Sequence, residues 1–404
     1  MPKIKLAALA SLALTLGAVT ACSSGGSGGS SGGSAATGGT ITIGITGSFT
    51  AGTGYPSIPL SAQARVDAIN AAGGINGRKV KLVSCSDNLN VNTAIACAQK
   101  LLQQKVVAVV SPLSAFGNEI YPVFNNAHIP IIGTTTGTPS DATYPVSFPI
   151  TVGALGGFAG MPAALKSEGA TKIGLLDEGD LGPVTTANEA GFAAGEKAVG
   201  FPAGPTIGVP GTATDFGPYV AKVLEKGVNG LGIYLNNSTS EAQLAQAILQ
   251  QDPKMKIVIA GFGVNSQVIS ALGATASHLK VVLWGQPASA MSAPGIAMFN
   301  ADMKKYASGQ PLDDLDIQGW ASVWLFQRVA QGLGKNITAA SVLAAMGKLH
   351  GMSMGGIYPP LTTTTTCSGC DGATRMFNPT IVVGKIADGK VVAVTGKFVS
   401  AFSS

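Results

Sequence analysis

Asn70-Ala71-Ala72-Gly73-Gly74-Ile75-Asn76-Gly77-Arg78-Lys79-Val80 carries the chain from the end of a helix into the start of a strand. Gly73 and Gly74 end the helix in backbone conformations closed to most other residues, and Ile75 tucks back onto it. An ordinary helix end needs one glycine, so the pair is a more specific signal. Upstream, residues 61–71 place Ala64, Ala68 and Ala71 near Ile69 at helical spacing, and 40–45 read as a strand. Downstream come a strand at 79–84 and a helix at 93–104 with Ile95, Ala98, Leu101 and Leu102 on one side. The strands at 106–110 and 129–133 are apolar enough to be buried on both faces. Short β-branched runs alternating with amphipathic helices predict a parallel sheet with crossover helices.

The alternation starts again at Lys172 and predicts a second lobe. Strands are expected at 172–176, 230–235 and 256–260, and helices at 186–198, 216–225 and 241–250. Between the two runs, 144–157 holds Pro145, Pro149 and two glycines and reads as an inter-lobe segment. A strand at 280–284 leads into a Pro-, Ser- and Ala-rich stretch. Helices at 318–332 and 337–349 follow. Trp320, Val323, Trp324, Gln327 and Gln331 lie at helical spacing on the first of these, a stripe that reads as core packing. The tail, 380–386 and 390–394 around Ala387-Asp388-Gly389, reads as a hairpin with a D-G turn.

The first forty residues speak of location. Lys3 and Lys5 precede an uncharged apolar run over 6–19, too short for a stable bilayer span and suited to an export signal. It ends in Val19-Thr20-Ala21-Cys22, which resembles the bacterial lipobox, whose cysteine is acylated and becomes the first residue of the mature protein. Residues 1–21 are thus expected to be a lipoprotein signal peptide and 22–39, rich in Ser and Gly, a flexible tether. Lipidation at Cys22 would be the sole attachment to the membrane, on its extracytoplasmic face.

About 365 residues follow the tether, more than one core usually serves, so two domains are expected. The apolar fraction is 46% against 11% charged, but the apolar runs are short and none after the leader has the length of a span. A net charge of +5, spread thinly and without basic stripes, argues against nucleic acid as a partner. Cys85, Cys97, Cys367 and Cys370 remain once Cys22 is assigned to lipid, and the expected bridges are the local ones, Cys85 to Cys97 and Cys367 to Cys370. No metal site is expected, because zinc wants a second pair or nearby histidines and His128, His278 and His350 stand apart. No cofactor is implied.

The glycine-pair turn resembles that of the leucine/isoleucine/valine-binding family, the type I solute-binding proteins of ABC importers. The likeness continues through Asp87, Ala98-Gln99-Lys100-Leu101, Val106-Val107-Ala108-Val109-Val110-Ser111-Pro112, Ile129-Pro130-Ile131-Ile132 and Asp215-Phe216, in register over some 350 residues. It implies an α/β fold of two doubly wound lobes joined by a three-segment hinge, with 40–148 and 286–352 as lobe 1 and 149–285 and 353–404 as lobe 2. It also implies that solute is trapped in the cleft as the lobes close.

Ligands bind at the carboxyl ends of strands in such sheets, which selects 46–55, 111–118, 134–138, 177–181, 236–239 and 261–265. The resemblance implies that backbone amides and hydroxyls in the second and third of these hold a carboxylate. Here Ser114, Ala115 and Phe116, and Thr134, Thr135 and Thr136, occupy those places. Tyr55, Leu181, Asn236, Phe262 and Gly263 complete the candidate site. Two positions depart from the family: Leu181 stands before Gly182 where an aromatic residue is usual, and Gly261-Phe262-Gly263 lacks the carboxylate that pairs with an ammonium. Free α-amino acids are therefore poor candidates unless Asp177, Glu178 or Asp180 supplies the charge.

The function expected is a lipid-anchored monomer that captures a small polar or carboxylate-bearing, amino-acid-like or amide-like solute and hands it to ABC permease subunits. A ligand-binding sensor of the same fold is the alternative. An exported hydrolase is disfavoured, since the chain lacks G-x-S-x-G and H-E-x-x-H and its histidines have no recognisable catalytic partners.

Overall fold

The structure is a computed structural model, and it describes residues 39–50, 54–262, 264–310, 312–367, 370 and 372–402. In the 70–80 turn Gly73 and Gly74 take φ of 97° and 85°. A Cβ on Gly74 would stand 2.0 Å from the Arg78 carbonyl oxygen, so the second glycine is required by space as well as by conformation. Ile75 is fully buried. The Asn70 amide brackets Val80, donating to its carbonyl and accepting from its N–H, both at 2.8 Å. The helix is thereby pinned to the strand it feeds.

The first sheet is built from β1 (Ile41–Gly47), β2 (Val80–Ser86), β3 (Val109–Val110), β4 (Ile131–Ile132) and β5 (Ser147–Phe148), with α1 (Ser57–Ala71), α2 (Val91–Gln103) and α3 (Gly117–Asn126) between them. Its order is β2-β1-β3-β4-β5, all parallel. Cys85 and Cys97 form a disulfide that ties β2 to α2.

After α4 (Gly153–Ser167) come β6 (Ile173–Glu178), α5 (Pro183–Val199), β7 (Thr206–Val209), α6 (Gly217–Leu224), β8 (Gly230–Tyr234), α7 (Ser238–Gln251), β9 (Lys256–Ala260), α8 (Ser266–Leu272) and β10 (Leu279–Leu283). These strands pair in parallel in the order β7-β6-β8-β9-β10. That repeats the order of the first sheet. The chain then returns through α9 (Pro294–Tyr306), α10 (Asp314–Gly332) and α11 (Ala339–Met346). Of these, α9 and α10 pack on α1. It ends in β11 (Thr380–Ala387), β12 (Lys390–Ala393) and β13 (Val399–Ser400), which extend the second sheet with antiparallel pairings. The α/β fold with two lobes is the one expected, with an antiparallel edge on the second sheet.

Asp388 and Gly389 take φ of 50° and 69°, the two positive values a two-residue hairpin turn requires. Of the expected core stripe, Trp320 and Val323 are fully buried, Trp324 and Gln327 are half-buried and Gln331 is exposed, so only its first part is core. The Arg65 guanidinium lies 5.2 Å from the Trp320 ring centroid, and the indole N–H donates to Asp302 at 2.8 Å. Cys367 and Cys370 form the second disulfide.

Some expectations change; α10, for one, starts at Asp314 and not at 318. Residues 144–157 are not all connection, because β5 belongs to the first sheet and α4 begins at Gly153; the passage between sheets is confined to 149–152. The Pro-, Ser- and Ala-rich stretch contains α9, with Pro294 opening its first turn.

Candidate functional site

In each sheet the strand order reverses at one place, between β1 and β3 in the first and between β6 and β8 in the second. The crevices outside those strand ends are where a doubly wound sheet holds its ligand. The two crevices meet. Tyr55, which follows β1, directs its hydroxyl to the Asn236 Oδ1, which follows β8, at 3.4 Å. The Tyr234 hydroxyl donates to the same oxygen at 3.3 Å.

The first wall is held by buried acceptors. Asp87 takes hydroxyl protons from Ser48 at 2.8 Å and Ser114 at 2.6 Å, locking the loops after β1 and β3 to the end of β2. Asp141 accepts from Thr134 at 3.0 Å and from the N–H and hydroxyl of Thr138 at 2.6 and 2.7 Å. Burial pushes its carboxyl up, opposed by these donors. Gln318 donates to the Gly133 carbonyl at 2.7 Å and to Thr135 Oγ1 at 3.0 Å. The Thr136 hydroxyl donates to the Val152 carbonyl at 2.8 Å. Side-chain protons in these loops therefore point inward, while the Ala115 N–H, on an exposed residue, donates to no described residue. Phe116 packs against the core between α2 and α3.

The second wall is aromatic. Tyr234, Phe262 and Trp284 stand at the carboxyl ends of β8, β9 and β10, with successive ring centroids 5.4 and 5.1 Å apart. Phe158 of α4 meets Tyr234 edge-on at 5.4 Å. The Trp284 indole N–H is buried without a partner among the described residues. Leu181 is half-buried against the main core, and Gly182 precedes α5 with φ of 61°. Burial pushes the Tyr55 hydroxyl up to about 12, with Asp313 adding to the shift.

Of the acids named from sequence, Glu178 uses Oε2 to accept the Asn236 N–H at 2.7 Å, and Asp180 accepts the Gly211 N–H at 3.1 Å. Asp177 is fully buried against Asn188, and burial pushes its carboxyl up to about 7. Cys22 and Gly263 lie outside the described residues. The structure adds groups that sequence reading missed: Tyr234, Trp284, Asp313 and Asp314. Asp313 caps α10 by accepting the N–H groups of Leu315 and Asp316 at 2.9 and 3.1 Å. Asp-Asp-Leu-Asp before an apolar helix is a recognisable start signal, so that cap was legible.

The profile of the family described as "Periplasmic binding protein" matches residues 40–376. The chain belongs to that family. No curated protein sequence matches this periplasmic binding protein. Solved structures share its fold. A substrate-binding periplasmic protein from Ralstonia solanacearum is 19% identical, covering 87% of this chain and 99% of its own with a TM-score of 0.73. The branched-chain amino acid transporter substrate binding protein LivJ from Streptococcus pneumoniae, in complex with isoleucine, is 20% identical over 89% of this chain and 99% of its own, with a TM-score of 0.69. A solute binding protein of an ABC transporter from Rhodopseudomonas palustris HaA2, in complex with p-hydroxybenzoic acid, is 16% identical over 90% and 98%, with a TM-score of 0.73. Among the described residues of this chain, no helix is long and apolar enough to cross a membrane.

Proposed function

We propose that this periplasmic binding protein is a monomeric, lipid-anchored extracytoplasmic receptor that delivers a small organic solute to the permease of an ABC importer. The solute has an apolar or aromatic body and an acceptor end such as a carboxylate or amide. The carrying observation is the pair of facing crevices bridged by Tyr55 and Asn236, with the Ala115 N–H, free among the described residues, on one side and the Phe262 ring, backed by Tyr234 and Trp284, on the other. Rigid N–H donors solvate an anion without a counter-ion, and aromatic walls favour a flat or branched apolar body. Solved structures of the same fold in complex with isoleucine and with p-hydroxybenzoic acid fit a solute of this size and chemistry.

Ser114, Ala115 and Thr136 on the first wall and Leu181, Asn236 and Phe262 on the second are the proposed contacts. A thermal-shift screen of the body from Thr40 onward against aromatic acids, their amides and branched amino acids tests this, because a ligand that binds only the native state raises its stability with log concentration. A rise with an aromatic acid supports the reading, and a flat response across the panel refutes it. Changing Cys22 to Ala should move the protein from the membrane to the soluble fraction.

A further inference from the structure

Beside the cleft is a cavity of about 490 Å3 whose lining comes from both lobes. The first turn of α10 contributes Asp313 and Asp314, α9 contributes Asn300, the loop after β9 contributes Asn265, and the β11–β12 turn contributes Lys390. Asp313 is 7% exposed and Asp314 5%. Each uses one carboxylate oxygen within the protein. Asp313 Oδ1 caps α10, and Asp314 Oδ2 accepts the Trp284 backbone N–H at 2.9 Å. No described residue donates to Asp313 Oδ2 or Asp314 Oδ1, although both side chains line the cavity.

The loop after β9 makes room for this arrangement. A Cβ at Gly261 would stand 2.8 Å from Asp314 Oδ2 and 2.7 Å from the Val282 carbonyl oxygen. Two adjacent carboxylates, each with one oxygen open to the cavity, suit an occupant rich in N–H donors and positive charge. Lys390 is exposed at the hairpin tip, so the deep part of the cavity holds no cationic side chain among the described residues. The volume is that of an organic ligand pocket, far larger than a bare ion. Among the described residues no group of three or more potential metal ligands occurs.

We propose that this cavity binds an organic cation, an ammonium or amidinium group, through Asp313 and Asp314. Burial pushes the Asp314 carboxyl up to about 7, with Asp313 adding to the shift, and a bound cation would favour the ionised form. Because the lining spans both lobes, occupancy favours the present arrangement of the lobes over a separated one.

The inference goes beyond the proposed cleft ligand and is tested without it. Calorimetric titration of the full-length chain in detergent at about pH 8 compares benzylamine with benzyl alcohol, a neutral compound of similar shape. Benzylamine should bind at least about tenfold more tightly than the alcohol, and Asp313→Asn and Asp314→Asn should each remove about tenfold of that affinity. Asparagine also caps helices and can still accept the Trp284 N–H, so both variants should fold. Equal binding of amine and alcohol, or full benzylamine affinity in both variants, overturns the proposal.

Repeating the titration with benzoate-saturated protein, and with 4-(aminomethyl)benzoate, identifies the source of the cation. Unchanged benzylamine affinity supports a separate cation. Tighter binding of the bifunctional compound than of either half supports a cationic end on the cleft solute. Failure of the cleft reading would appear independently, as no response to any aromatic acid or amide.

Discussion

The two walls of the cleft are built on the same strand order and use their residues in opposite ways. In the first lobe the hydroxyls of Ser114, Thr134 and Thr136 donate into the protein, to Asp87, Asp141 and the Val152 carbonyl. What stays open there is the backbone N–H of Ala115. In the second lobe the strands end in the packed side chains of Tyr234, Phe262 and Trp284, of which Phe262 is half-buried and the other two are buried behind it. A wall of rigid N–H groups accepts any solute with an acceptor end, whereas a wall of rings selects by shape. On the proposed function, the difference would place specificity in the second lobe.

The largest expected effect follows from the depth of the aromatic wall. Trp284 is 1% exposed and packs on Phe262, so Trp284→Ala should cost about 3–5 kcal/mol of stability, read from the denaturation midpoint. Binding of any aromatic ligand should fall with it. A loss below about 1 kcal/mol would mean that the ring is a surface feature and that the two walls differ less than their packing indicates.

Buried acids sharpen the contrast through pH. Glu241 of α7 is held against the Leu235 N–H, and burial pushes it from 4.5 up to about 8, while Tyr55 and Tyr234 face it as further buried ionisable groups. Between those values the folded protein retains a proton that the unfolded chain has released. The contribution is therefore most favourable at low pH and is lost as pH rises towards 8. Asp177 acts in the same direction, with its carboxyl pushed up to about 7. From pH 5 to pH 9 the Glu241 contribution should fall by on the order of 4 kcal/mol, and Glu241→Gln should flatten the melting profile over that range. A profile unchanged by that substitution would show that Glu241 stays ionised in the folded protein.

Much of the fold was legible because the alternation of apolar runs survives burial, and the glycine-pair turn has one physical solution. The helix α4 was not. Gly153, Gly156, Gly157, Gly160 and Pro162 have the composition of a linker, yet an added Cβ at Gly157 would stand 2.9 Å from the Trp284 indole nitrogen and one at Gly160 2.9 Å from Ile381. Glycine there serves close packing, which one-dimensional composition does not distinguish from flexibility. The strand-end rule names loops for the candidate site but not side-chain directions. Serine and threonine look the same in sequence whether they face a ligand or a buried aspartate. Asp313 and Asp314 fall outside the expected helix of 318–332, whereas α10 begins one turn earlier, at Asp314.

Thr136 tests how far the inward hydrogen bonds define the first wall. Its hydroxyl donates to the Val152 carbonyl just where the chain leaves the first sheet, so Thr136→Val should leave that buried acceptor unpaired and cost about 1–3 kcal/mol of stability. Thr136→Ser should recover most of it. If Thr136→Val instead spares the melting temperature and weakens solute binding, the hydroxyl turns to the ligand and the first wall also recognises through side chains.

The smallest effect is expected at Tyr55, and it separates recognition from closure. Its hydroxyl lies 3.4 Å from Asn236 Oδ1, at the long end of hydrogen bonding, and Tyr234 donates to the same oxygen at 3.3 Å. Asn236 therefore keeps a donor when the Tyr55 hydroxyl is removed. The ring is half-buried, so Tyr55→Phe should change the melting temperature of the empty protein hardly at all. What it removes is a bond made only when the lobes are together, which should lower solute affinity by at most about 1 kcal/mol. The loss should appear as faster release, because association precedes the contact. A loss larger than about tenfold would mean that the hydroxyl touches the solute directly, and the division of labour between a backbone wall and a side-chain wall would then have to be redrawn with Tyr55 on the side-chain wall.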